Sequence, residues 1–224
     1  MKKPVIAIDG YSSTGKSSIS KIIAEKLGLI HLDTGALYRG VTWFALQNCL
    51  DEKGKIDLNK LFSSFGEIDL EFRNNQGELV LFLNQIDISK AIRTNEVSEN
   101  VSFIAKQKEV RDFLLLFQRN LAEDGGIIMD GRDIGTVVLP DADYKFFMTA
   151  SIEERTKRRY QELIRLGIEA DEKQVMDNLI IRDKIDSERE IAPLKQADDA
   201  IVIDNTDLTK RETIDAILSY INKI

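Results

Sequence analysis

The chain has 224 residues, 43% apolar and 31% charged, and its 31 Lys and Arg against 38 Asp and Glu give a net charge of −7. That length buries a sizeable core without crosslinks. A single cysteine, Cys49, excludes an intramolecular disulfide framework and four-thiolate centres, and a single histidine, His31, leaves no His-pair metal motif. Any chemistry must rest on Lys, Arg, carboxylates and hydroxyls. The acidic balance argues against sequence-independent nucleic-acid binding, which needs a basic face. No stretch approaches the ~18 apolar residues of a membrane span, and the apolar run at the N-terminus, broken by Asp9, does not read as a signal peptide. The expectation is a cytoplasmic enzyme acting on small molecules as a monomer, with no nucleic-acid or membrane partner.

In chain order, short apolar runs predict strands over Pro4 to Asp9, Leu29 to Asp33, Gly126 to Asp130, Tyr144 to Ala150 and Ala200 to Asp204. Most are apolar at consecutive positions, as in parallel strands covered on both faces. Helical spacing follows the first run, with Ile19, Ile22, Ile23 and Leu27 on one face and Gly28 as C-cap. Further helices are predicted over Ala36 to Gln47, Ile104 to Glu123, Ile152 to Arg165, Glu172 to Lys184 and Lys210 to Ile221. The alternation is that of an open α/β fold. From Ile68 to Ile88 the pattern is instead a hairpin, with Asn74-Asn75-Gln76-Gly77 as its turn. Glu153 to Glu190, dense in charge of both signs, reads as a solvated helical excursion.

Gly10-Tyr11-Ser12-Ser13-Thr14-Gly15-Lys16-Ser17 matches G-x4-G-K-[ST] between a predicted strand and a predicted helix. Backbone N–H groups of such a loop and the positive end of a helix dipole surround a phosphate, and Lys16 neutralises its outer oxygens. Ser17, or its neighbour Ser18, offers a hydroxyl to Mg2+. This marks a nucleoside triphosphate user without naming the acceptor. Asp130, at the tip of its strand, stands where such proteins keep the carboxylate for Mg2+ or its waters.

Arg132, between Gly131 and Gly135, reads as a cation presented to the site or, taken alone, as an Asp-Gly turn with a solvated arginine. Arg155, Arg158 and Arg159 share a helical face, and from Arg155 to Arg165 five cations meet Glu162 alone. Arg182, Asp186 and Arg189 also fall close on a helical face, a spacing that surface pairs share. Beside a phosphate loop, these cations suit an acceptor that is itself a phosphate. Its oxygen is already an anionic nucleophile and needs no base. The other readings are a kinase for a hydroxyl acceptor, with Asp33 as base, and a nucleotide-binding switch. The latter needs a guanine motif, which Asn84-Gln85-Ile86-Asp87 matches poorly. His31 reads as strand packing, and Trp43, Phe44 and Leu46 as core.

At Asp33-Thr34-Gly35-Ala36-Leu37-Tyr38-Arg39, Ile92-Arg93-Thr94, Asp130-Gly131-Arg132-Asp133-Ile134-Gly135, the Glu-Arg-x-x-Arg-Arg cluster, Arg182 to Arg189 and Ala192-Pro193-Leu194, the chain resembles the bacterial cytidylate kinases, nearly end to end. The resemblance implies an α/β P-loop fold with an open parallel sheet of about five strands flanked by helices. It also implies a monophosphate-binding insertion enlarged by a small antiparallel sheet, and a helical LID. It divides the chain into core (1–32), monophosphate region (33–110), core (111–152), LID (153–190) and core (191–224).

The activity implied is transfer of the ATP γ-phosphate to CMP or dCMP, with UMP a poorer acceptor and Mg2+ as cofactor. By the same resemblance, Gly10 to Ser18 bind ATP. Thr34, Tyr38, Arg39, Arg132 and Arg189 surround the monophosphate, Ser102, Arg111 and Asp133 read cytosine, and Arg182 and Asp186 meet the sugar. Lys16, Arg132, Arg155, Arg158, Arg159 and Arg189 serve the transfer. The chain departs from the family at the loop start, where Gly-Pro-Ser-Gly is usual and Gly10-Tyr11-Ser12-Ser13 stands here, and at Thr34, where Ser is usual.

Overall fold

The computed structural model describes residues 3–75 and 78–221, without the side chains of residues 74, 75 and 78. The chain forms two compact units, residues 1–32 with 122–224 and residues 33–121.

The first unit holds β1 (Val5–Gly10), α1 (Lys16–Leu27) and β2 (Ile30–Asp33), the last strand ending at the unit boundary. After residue 121 it resumes with β6 (Ile127–Gly131), β7 (Tyr144–Thr149), α6 (Ile152–Arg165), α7 (Glu172–Glu188), β8 (Ile201–Asp204) and α8 (Lys210–Ile221). The five strands form one parallel sheet in the order β2-β6-β1-β7-β8, with Ile8 of β1 opposite Asp130 of β6 and Phe146 of β7. Consecutive apolar residues are explained by this central position: Ile6, Ala7 and Ile8 are all buried. Ile19 and Ile23 of α1 and Ile214 and Ile217 of α8 pack with Ile6, Ile8, Phe146 and Met148. The sheet thus carries the phosphate loop and Asp130 at the C-terminal ends of neighbouring strands, where open α/β sheets bind ligands.

The charged excursion is a pair of helices. Ser151 caps α6 by accepting from the Glu154 N–H, and Asp171 caps α7 by accepting from Gln174. Leu163, Val175 and Leu179 give this pair a small core of its own.

The second unit contains α2 (Thr34–Asn48), α3 (Leu58–Ser63), the strands β3 (Leu70–Asn75), β4 (Glu78–Leu83) and β5 (Ile86–Asp87), and α4 (Asn95–Ala105) and α5 (Lys108–Ala122). The hairpin expected from Ile68 to Ile88 is a three-stranded antiparallel sheet, β3-β4-β5. Gln76 and Gly77 of its expected turn lie outside the described residues. Asn84 and Gln85 both take positive φ, 48° and 69°, as a two-residue hairpin turn requires. The segment that resembled a guanine motif is therefore a turn and strand end.

The helix expected from Ile104 to Glu123 is α5, which begins only at Lys108, and α4, which ends at Ala105, was not expected. The apolar pattern runs across the break because Val101 and Ile104 of α4 and Val110 and Leu114 of α5 enter one core. The Arg111 guanidinium, six residues on, satisfies the freed Ala105 carbonyl at 3.1 Å. The expected return to the core at residue 111 falls inside α5, and the compact unit runs to Leu121.

Candidate active site

The loop between β1 and α1 is shaped by two close approaches. A Cβ on Gly10 would lie 2.2 Å from the Met148 carbonyl oxygen of β7, so only glycine lets the loop leave the sheet there. Ser13 takes φ 61°, a left-handed conformation costly for a residue with a Cβ. Inside the loop, the Tyr11 carbonyl accepts from Lys16 Nζ at 2.9 Å and Thr14 Oγ1 at 3.0 Å. Lys16 begins α1, its side chain buried.

Beside it, Ser17 Oγ donates to Asp130 Oδ2 at 2.6 Å, whereas Ser18 Oγ turns back to the Gly15 carbonyl. The structure thus separates the two hydroxyls that sequence left as alternatives. His31 was read as packing, but its Nε2 lies 2.7 Å from the other Asp130 oxygen. Its place at the end of β2, next to β6, brings it there. Ser17 and Asp130 are hard oxygen donors suited to Mg2+, which binds through one or two protein oxygens plus phosphates and waters. No cluster of three or more metal-ligating His, Cys, Asp or Glu occurs among the described residues.

Asp9, read from the sequence only as the residue that breaks the first apolar run, is buried and accepts two backbone N–H bonds of 2.7 Å, from Ile134 to Oδ1 and Gly135 to Oδ2. It anchors the wide helical turn Ile134–Val138 that follows Arg132 and Asp133. Burial pushes its carboxyl up to about 7, against the pull of these N–H groups and Lys16.

Three arginines of this unit, Arg132, Arg155 and Arg158, converge on the loop. Arg132 Nη2 donates to Ser12 Oγ at 2.7 Å and its Nε to Asp186 Oδ2 at 2.8 Å. Arg189 donates to Asp133 at 3.4 Å and to the Ala192 carbonyl at 2.7 Å. Burial acts to raise the Asp186 carboxyl, but Arg132, Arg189 and Arg182 outweigh it and hold the group below its ordinary value. Arg155 Nη1 pairs with Asp183 at 2.5 Å and reaches the Ser12 carbonyl at 3.4 Å. Arg158 bonds the Thr14 carbonyl at 3.3 Å and Asn205 at 3.0 and 2.8 Å. Arg159 instead pairs with Glu162 of its own helix at 2.8 Å, so two of the three clustered arginines touch the loop. Asn205, which also donates to the Thr14 carbonyl at 2.9 Å, had no sequence signal. It lies beyond β8 in a stretch without a motif.

In the second unit, Asp33 accepts from Arg39 at 2.5 Å, and a Cβ on Gly35 would come within 2.9 and 3.0 Å of these two side chains. Glycine is what lets the pair close over the first turn of α2. The Arg111 guanidinium lies 5.3 Å from the Tyr38 ring centroid. Thr34, Tyr38, Ser102 and Arg111 are all buried polar or aromatic groups.

The arrangement suits polyanions: a glycine-bounded loop, two side-chain oxygens of a kind that could serve a hard cation, and arginines held by carboxylates. The comparisons agree. The family model described as cytidylate kinase matches residues 6–223. A cytidylate kinase of Exiguobacterium sibiricum is 47% identical over 224 residues, covering 100% of this chain and 97% of that protein. One from Bacillus subtilis is 44% identical over 222 residues, covering 99% and 98%. Among solved structures, an uncharacterized protein from Eubacterium ventriosum superposes with a TM-score of 0.53 at 15% identity, covering 100% of both chains, a likeness of fold alone. With the family model matching almost the whole chain and relatives 44–47% identical over almost their full length, the chain belongs to the cytidylate kinase family.

Proposed function

We propose that the chain transfers the γ-phosphate of ATP to the phosphate of CMP or dCMP, giving CDP or dCDP, with UMP used less well. The observation that carries this reading is Arg132, bonded to Ser12 of the phosphate loop and to Asp186 at once. One cation thereby ties the donor's loop to the carboxylate that also faces Arg189. In the reaction, an acceptor phosphate oxygen forms a bond to the γ-phosphorus while the bond to the β,γ-bridging oxygen breaks, and ADP leaves with that electron pair. The nucleophile arrives ionised, which fits a chain with a single His and an Asp33 carboxylate committed to Arg39.

On this reading Gly10 to Ser18 bind ATP, and Lys16, Arg155 and Arg158 compensate the charge spread over the transferring oxygens. Arg159 would leave Glu162 to join them. Arg132 and Arg189 hold the monophosphate, with Thr34, Tyr38 and Arg39 of the second unit. Asp133, Ser102 and Arg111 read cytosine, whose edge offers an amino donor beside acceptors. Arg182 and Asp186 meet the sugar. Ser17 and Asp130 would hold Mg2+, which, when bound, neutralises phosphate charge. Residues 33–110 form the monophosphate region in this proposal and 153–190 a LID whose closure excludes water. The working unit is a monomer in the cytoplasm, where both substrates occur. A hydroxyl-acceptor kinase with Asp33 as base fits less well, because that carboxylate is committed to Arg39.

A coupled assay of ADP release from MgATP with CMP, dCMP, UMP, AMP, GMP or no acceptor tests the proposal. Turnover is expected to be fastest with CMP or dCMP. Faster turnover with AMP would refute the specificity, and turnover independent of acceptor would refute the kinase reading.

A further inference from the structure

Tyr11 stands at the second position of the phosphate loop, where the main chain alone has a role in phosphate binding. Its ring is placed by the fold. It meets Phe147 of β7 edge to face, with centroids 5.9 Å apart and planes at 82°. The guanidinium carbon of Arg155 lies 5.1 Å from the Tyr11 ring centroid. Arg155 is 6% exposed and is otherwise held by the Ala150 carbonyl at 3.0 Å, the Ser12 carbonyl at 3.4 Å and Asp183. Phe147, Tyr11 and Arg155 therefore form a stack running from the sheet through the loop to α6.

These partners differ in what they do to the charge. Asp183 offsets it, and the Asp183 carboxyl is itself raised from its ordinary value by burial, against the pull of Arg155. An aromatic ring attracts a guanidinium through its quadrupole and contributes no formal negative charge. A ring therefore fixes where the cation lies while leaving that cation positive for phosphate oxygens. A second carboxylate in its place would position Arg155 equally well and cancel it.

We infer that Tyr11 is a positioning residue for phosphoryl transfer, its ring, braced by Phe147, holding the Arg155 guanidinium over the phosphate loop without adding a second negative charge to that of Asp183. The inference rests on the kinase reading above for its kinetic consequence, and on geometry alone for the contact.

The test combines kinetics with a readout independent of activity. Tyr11→Leu is expected to lower kcat about tenfold, the scale of a desolvated cation–π contact, with the KM for CMP changed less than about twofold. Tyr11→Phe, which keeps the ring and loses the hydroxyl, should recover kcat to within about threefold of wild type. In an Arg155→Ala background, Tyr11→Leu should cost nothing further. Phe147→Leu, which removes the brace and spares the loop, gives an intermediate loss. In parallel, the Arg155 Nε–H resonance, assigned by its disappearance in Arg155→Lys, should be shifted upfield by the ring current in wild type and Tyr11→Phe but not in Tyr11→Leu.

Equal kcat in Tyr11→Leu and wild type, or equal losses with and without Arg155, would overturn the positioning role. An unshifted Arg155 resonance in wild type would overturn the contact. If wild type turns over without regard to CMP, the kinase reading fails, and the resonance still decides whether Tyr11 holds Arg155.

Discussion

Replacing Asp9 by Ala removes one side chain and breaks two bonds that join β1 to a helical turn distant in sequence. The carboxylate is 4% exposed and accepts from Ile134 and Gly135 at 2.7 Å each. Without it, two buried N–H groups lose their partner. Each such orphan costs about 1–3 kcal/mol, so the pair costs about 2–6 kcal/mol, a large share of the ~5–15 kcal/mol that holds a typical domain. Urea unfolding followed by circular dichroism at pH 5.5 should show the midpoint falling at unchanged slope. Because Arg132 and Asp133 precede the anchored turn, the KM for CMP should rise more than that for ATP.

A pH series adds the sign. Burial pushes the Asp9 carboxyl up to about 7 in the folded chain from its ordinary 3.8. Between those values the folded state holds a proton that the unfolded state has lost. Its contribution to stability is therefore greatest at low pH and falls by up to about 1.4 kcal/mol per unit as pH rises towards 7, then levels. The stability gap between wild type and Asp9→Ala should narrow from pH 5.5 to 7.5. A loss below about 1 kcal/mol at pH 5.5 with normal CMP kinetics, or a gap that widens with pH, would refute the anchor.

Other expectations follow from the same geometry. Lys16→Met should lower kcat by about two orders of magnitude or more, through lost charge stabilisation in the transition state; a near-normal single-turnover rate would remove Lys16 from the transfer. For Asp133→Asn, the ratio of kcat/KM for CMP to that for UMP should fall while ATP affinity, measured by calorimetry, holds. An effect confined to ATP would contradict a base-reading role. Gly10→Ala drives a Cβ to 2.2 Å from a backbone oxygen of β7, and overpacking of about 3 kcal/mol corresponds to a Tm about 6–12 °C lower. A thermal scan showing no change would mean that β1 and β7 can separate locally.

Several features were legible because contiguous residues encode them. The phosphate loop is a backbone device, so its glycines, its Lys16 and its position between a strand and a helix appear together in the chain. Parallel strands buried on both faces betray themselves as unbroken apolar runs, and α6 starts at Ile152 and ends at Arg165 as its spacing predicts. Periodicity missed α4 and began the next helix at Ile104 instead of Lys108, because the two helices share one core and no glycine or proline marks the break between them. The clustered arginines were read as a single group on one face. Their partners divide them, because Glu162 lies within reach of Arg159 along the helix while Asn205 meets Arg158 from beyond β8.

By itself the sequence determined the chemistry available to this protein: a loop for phosphate, a surplus of placed arginines and no histidine to spare for acid–base work. Tertiary structure alone decided which groups meet. His31 reaches Asp130, Arg132 reaches Ser12, Asp9 reaches Gly135 and Arg155 reaches Tyr11. These partners lie 99 to 144 positions apart, and no local pattern signals them. They follow from a strand order that sets β1 between β6 and β7 and so delivers residues from both ends of the chain to one edge of the sheet. A local pattern records a residue's preference for helix, strand or turn. A hydrogen bond or ion pair across the sheet depends on the order in which the strands close.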